Sequence, residues 1–132
     1  MENQANDRMA EMQADMHRFL EILHPDNHFE LRVLDHSGRM TPRTFNSPDQ
    51  ASQWFAQAFS TVPYKGAFVT LNPIKPDCAG SAKDDDVFQR RWLLIDCDPE
   101  RAPHSSSTHE ELDLALIRRD EIAAYLKQKR FS

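Results

Sequence analysis

Arg91-Trp92-Leu93-Leu94-Ile95-Asp96-Cys97-Asp98-Pro99 is the stretch on which the fold of this 132-residue chain turns. Four apolar residues in succession suit a central strand covered on both faces, so the pattern predicts a strand over 91–98. Asp96 and Asp98 alternate at its end, and Pro99 stops it. Residues two apart on a strand point to the same side, roughly 7 Å apart from the rise per residue. Both carboxylates can then reach one or two hard cations, while Cys97 faces the other layer. Mg²⁺ and Mn²⁺ take such oxygens and leave positions open for phosphate. Taken alone, an Asp-x-Asp pair also suits exposed acids in a turn.

Working outward, Gly66–Leu71 is apolar enough for an interior strand and is ended by Asn72-Pro73. Residues 74–86 between the two strands read as a loop. Upstream, Phe29, Leu31 and Val33 share one face of a strand over 29–34, with Glu30 and Arg32 opposite. Asp35-His36-Ser37-Gly38 is a turn. A second strand, 39–45, puts Arg39, Thr41 and Arg43 on a common face, and Pro42 suggests a sheet edge. The pair reads as a hairpin with a basic outer surface, which also suits an ordinary solvated face.

Three helices complete the pattern. Met9, Met12, Met16, Phe19, Leu20 and Leu23 recur at helical spacing over about 6–23 and read as a core-facing stripe. Ser47-Pro48-Asp49-Gln50 starts a helix whose buried side is Ala51, Trp54, Phe55, Ala58 and Phe59. Thr108-His109-Glu110-Glu111 is a second capping box, opening a helix through Leu112, Ala115, Leu116, Ile122, Ala123 and Leu126 to about Lys127. The expected order α-β-β-α-β-β-α makes an α+β fold: a mixed β-sheet flanked by helices. It reads as a single domain over 1–132, with an N-terminal helix in 1–27 and a core in 28–132.

Charge narrows the function classes. The net charge of −5 argues against a generally basic nucleic-acid surface. Residues 84–100 nevertheless hold six acids against two bases, a net of −4, so the excess is local and a bound divalent cation would offset part of it. Two cysteines, Cys78 and Cys97, make no metal motif and no disulfide framework, which suits a reducing cytoplasm. No apolar run is long enough to cross a membrane. His24 and His28 are four apart, but Pro25 keeps one helix from presenting both. Ser105 to Ser107 could receive a phosphate before the last helix, or simply serve as a capping loop.

Phe68-Val69-Thr70-Leu71-Asn72-Pro73, an acidic segment, then Trp92 to Arg101, then Ser106-Ser107-Thr108-His109-Glu110-Glu111-Leu112 and a helix form one succession. It resembles the N-terminal half of primase-polymerase domains of the archaeo-eukaryotic primase superfamily, phage and plasmid type, over about 29–126. The resemblance implies template-directed nucleotidyl transfer in DNA replication with Mg²⁺ or Mn²⁺. Asp96 and Asp98 match the metal-binding acids of the family's first motif. Arg101 would meet a triphosphate oxygen, or else pair with Glu100 or Asp98. Asn72 would help shape the nucleotide pocket, or else cap the turn at the strand end, and Arg39 and Arg43 would contact nucleic acid. The implied partners are a nucleoside triphosphate, a single-stranded DNA template and a replicative helicase.

The family's later Ser-x-His motif and third acid have no counterpart here, so the resemblance implies a domain truncated before its second and third motifs, its partner then being the missing C-terminal half. Two other readings stand beside it. One is a non-catalytic nucleic-acid- or protein-binding module derived from the same fold. The other is an unrelated magnesium-dependent phosphotransferase. Against the latter, aspartyl-phosphate phosphatases place their Asp-x-Asp near the start of the domain, and a Toprim domain would want an upstream glutamate at a strand end.

Overall fold

A computed structural model describes residues 2–59 and 62–131, the side chains of 2–6 excepted. The elements are α1 (Glu2–Leu23), β1 (Phe29–Asp35), β2 (Met40–Phe45), α2 (Pro48–Phe59), β3 (Tyr64–Val69), a single 3₁₀ turn (Asp84–Asp86) and α3 (His109–Gln128). The fold is α+β. Its contacts fall into two compact units, Met1–Leu93 and Leu94–Ser132.

The first unit is a three-stranded sheet of order β2-β1-β3, with α1 and α2 packed against each other. Both pairings are antiparallel, so the sheet is not mixed. The hairpin turn is written locally. The Asp35 carboxylate accepts from the Ser37 hydroxyl at 2.6 Å and from the N–H groups of Ser37 and Arg39. The Ser37 hydroxyl above all, then the Arg39 amide, holds that carboxyl below its ordinary range. Gly38 supplies the positive φ, at 87°, that closes the turn.

Alternation along β1 sorts the two faces. Phe29, Leu31 and Val33 are buried and form the core with Leu20, Phe45, Ala51 and Phe55. Met12 and Met16 of α1 pack against this core, as the methionine stripe predicts, whereas Phe19 is exposed. Aromatic rings knit α2 to the sheet: Phe55 meets Tyr64 edge-on at 5.1 Å, and Trp54 lies 5.5 Å from Phe45. Such pairs add to the area that burial removes from water.

Ser47 caps α2 as expected, its hydroxyl accepting from the Gln50 N–H at 3.3 Å, with Pro48 in the first helical position. The second unit contains α3, whose capping box is complete: Thr108 Oγ1 accepts from Glu111 N, and Glu111 Oε2 accepts from Thr108 N. Thus both helix starts follow from four-residue signals.

The strand expected over 91–98 is not formed; residues 89–102 have irregular backbone. Leu93 and Leu94 are 77% and 73% exposed, and Ile95 is exposed as well. An apolar run becomes a central strand only where neighbours complete its ladder and cover both faces. Among the described residues, no strand pairs with this segment. β3 is also displaced: it runs 64–69 rather than 66–71, with a bulge where Leu34 and Asp35 meet it.

Candidate functional site

The chain beyond β3 does not wander. Ile74 bridges Val87 in antiparallel sense, flanked by Lys75 N donating to Asp86 O at 2.8 Å and Phe88 N donating to Pro73 O at 2.8 Å. Residues 72–92 are therefore an irregular two-legged arm rather than a free loop. Pro73 has no N–H and cannot extend this ladder.

The side chain of Asn72 takes over beyond it. Its Oδ1 accepts from Arg91 N and Trp92 N, both at 2.7 Å, and its Nδ2 donates to Trp92 O at 3.1 Å. Trp92 is anchored again through its indole N–H, which donates to Leu23 O at 3.0 Å. The expected choice for Asn72 lay between a pocket contact and a turn cap. Its amide instead joins two distant backbone segments, although it also borders a cavity.

That cavity, of about 340 Å³, lies beside the outer face of β1 and β3, with Arg32, Phe68, Asn72, Lys83 and Asp84 among its walls. The arm is fastened to this face by a residue that the sequence pattern puts opposite the apolar row of β1. Glu30 is fully buried. Its Oε1 accepts from Arg32 Nε, its Oε2 accepts from Ala82 N at 2.6 Å, and Arg32 Nη2 donates to Ala82 O at 2.5 Å. Burial of this carboxylate is tolerable because its charge is paired and both oxygens are bonded.

His24 closes the other end. It is buried and stacked on Phe29 with ring centres 4.9 Å apart. A carbonyl oxygen only accepts, so Nε2 carries the proton given to Thr70 O at 2.6 Å, while Nδ1 has no partner among the described residues. Burial lowers its pKa below the ordinary histidine value, the Thr70 bond opposes this, and the Arg91 charge adds to the lowering. The Cys78 thiol is pushed up by desolvation first and then by the Asp86 carboxylate, so it stays protonated.

The two acids stand in the second unit, on the irregular segment. Asp96 and Asp98 are both exposed, and Cys97, expected to face the other layer of a sheet, is a free thiol of intermediate exposure. Asp98 borders a groove of about 700 Å³ with Glu100 and, from α3, Glu111, Leu114, Arg118 and Glu121. Three members of that groove are already engaged, since Arg118 pairs with Glu121 at 2.9 Å and Glu111 completes the cap.

No group of three or more metal-ligating side chains converges among the described residues. Two carboxylates still match the donor chemistry of Mg²⁺, which takes one or two carboxylates and completes its shell with water and phosphate. Arg101 is exposed and has no ion pair among the described residues, with Glu100 or Asp98 or otherwise.

Arg39 precedes β2 and is exposed beside the hairpin turn, whereas Arg43, though exposed, does not belong to the outer face of the sheet. The register pairs Arg43 with Leu31 and Thr41 with Val33, and cross-strand partners share a face, so this row belongs to the helix side. Arg43 sits at the rim of the core with its guanidinium 5.5 Å from the Phe45 ring centre and 5.4 Å from that of Trp54. These cation–π contacts give it a packing role.

Glu30, Arg32 and His24 are the site-building residues that the sequence reading passes over. Their signal is weak: Glu30 and Arg32 alternate with apolar residues like any solvated row, and Ala82 lies 52 residues further on. What fold and site define is a class: a two-layer α+β unit whose arm leads into a segment bearing an Asp-x-Asp pair. In comparisons with known proteins, no family model, no curated protein and no solved structure matches the chain.

Proposed function

We propose that this chain is a nucleotidyltransferase domain of the primase-polymerase kind, acting in phage or plasmid DNA replication. The observation that carries the reading is the Asp96-Cys97-Asp98-Pro99 segment, with both carboxylates open to solvent. Mg²⁺ or Mn²⁺, when bound, lowers the pKa of an attacking hydroxyl and neutralises charge on the phosphate in transfer. Asp96 and Asp98 supply the hard oxygen donors. Arg101, three residues beyond Asp98 and without an ion pair among the described residues, offers a guanidinium to a triphosphate oxygen. The partners in this reading are a nucleoside triphosphate and a single-stranded DNA template, with a replicative helicase alongside.

The test is Mn²⁺-dependent binding of a nucleoside triphosphate to the full chain, with Asp96→Asn/Asp98→Asn as control. Binding that is lost in the double variant is the expected result. A folded wild type that binds neither Mn²⁺ nor nucleotide, or a double variant that retains full affinity, overturns the proposal. A second reading, a protein-binding module, is favoured by the exposed Leu93 and Leu94 and by Leu114, Ile117 and Tyr125 on α3.

A further inference from the structure

The cavity of about 340 Å³ beside β1 and β3 belongs wholly to the first unit. Arg32 and Phe68 are cross-strand partners in the β1–β3 pair, so both stand on the outer face. Phe68 borders the cavity and is 53% exposed. Gly66, two residues back on the same face, makes room for its ring: a Cβ there would lie 3.3 Å from the Cε2 and Cζ atoms. The ring therefore leans along β3 over the gap that the glycine leaves. Opposite it, the Arg32 guanidinium is held through two of its three nitrogens, Nε donating to Glu30 and Nη2 to Ala82 O. It is a fixed plane rather than a swinging charge.

Unstacked nucleobases are recognised by stacking on aromatic rings and on arginine planes, and by hydrogen bonds along their edges. This cavity has both kinds of stacking group. Lys83 and Asp84 in its wall offer a donor and an acceptor to an edge, and neither enters an ion pair among the described residues. Its volume is at the low end of the ~300–1,000 Å³ of small-molecule pockets, which suits one base and not a run of them. Charge agrees: the chain carries −5 and Glu30 already answers Arg32, so attraction of phosphate is a minor contribution.

We propose that this cavity binds one unstacked nucleobase, with Phe68 and Arg32 as its stacking groups. The proposal holds whether or not Asp96 and Asp98 bind a metal. A free nucleotide and a single strand present the same base chemistry to it.

The test is a nuclear magnetic resonance titration of the isotope-labelled full chain in EDTA. The probes are a thymidine tetranucleotide, a tetramer made wholly of abasic sites, and thymidine monophosphate. The thymidine tetramer should shift the amides of Gly66, Phe68 and Lys83, and the abasic tetramer should not. Phe68→Ala should weaken binding about tenfold, within the range for stacking one base on one ring. Phe68→Tyr should retain it, and Phe19→Ala, which removes an equally exposed ring from α1, should change nothing. Raising salt from about 50 to about 200 mM should cost about threefold or less, the effect of a single phosphate contact. Thymidine monophosphate acting on the same amides at similar concentration identifies a free nucleotide; shifts from the tetramer alone identify a base held in a strand. Three results overturn the proposal: an abasic tetramer that binds as tightly as the thymidine one, unchanged affinity in a folded Phe68→Ala, or a folded wild type whose cavity amides answer neither thymidine probe. Should Phe68→Ala not fold, the abasic comparison on the wild type decides. Loss of Mn²⁺ binding bears on the proposed function alone, because these titrations contain no free metal.

Discussion

Replacing Glu30 with alanine tests whether the arm is held by a buried charge. The carboxylate is completely buried, with one oxygen bonded to Arg32 and the other 2.6 Å from the Ala82 N–H. Glu30→Ala strands that N–H, which costs about 1–3 kcal/mol when no replacement partner is available. Breaking a buried pair by deleting one member costs about 3–5 kcal/mol. Arg32 keeps 32% of its side-chain surface in water and can rehydrate in part, so the low end applies. We expect a loss of about 3 kcal/mol, or about 12 °C in Tm at some 4 °C per kcal/mol for a unit of this size. Glu30→Gln keeps an oxygen for one of the two donors and should lose about half as much. Urea unfolding followed by circular dichroism measures both, and exchange of the Ala82 amide locates the effect. A Glu30→Ala protein within about 0.5 kcal/mol of wild type, with an unchanged denaturant slope, would refute the reasoning, because that is the range of ordinary surface substitutions.

Two further outcomes are expected. The folded-state pKa of His24 is depressed, chiefly by burial, so its unfolded form takes up a proton first. Its stabilisation is complete above about pH 6.5, the unfolded value, and is lost as pH falls through the folded pKa. Thermal melts from pH 7.5 to 5 should show a smaller acid-side decline in His24→Gln than in wild type; identical slopes would count against the buried neutral imidazole. At the other end of the chain, Thr108→Ala removes the α3 cap and should cost about 1 kcal/mol, speeding exchange of the Glu111 amide about fivefold. Thr108→Ser should restore it.

Sequence by itself determined the parts whose physics is local. Ser47-Pro48-Asp49-Gln50 and Thr108 to Glu111 hold their capping partners within four residues, and both helices start there. The Asp35–Gly38 turn and the alternation that buries Phe29, Leu31 and Val33 are likewise complete within one hairpin. Tertiary structure decided everything that needed a distant neighbour. Whether the run from Leu93 to Ile95 is a strand depends on a partner ladder, and none pairs with it among the described residues. The same alternation that correctly put Glu30 opposite the core could not show that Ala82 would cover it. Arg43 had its face by parity, but which side of the sheet that face met was settled by α2, through Trp54. Asn72 read as a pocket or turn residue because its partners, Arg91 and Trp92, lie 19 and 20 residues away. Periodicity and capping are properties of a few adjacent residues; burial of a charge and completion of a ladder belong to the whole chain, because the groups that satisfy them are brought together only by folding.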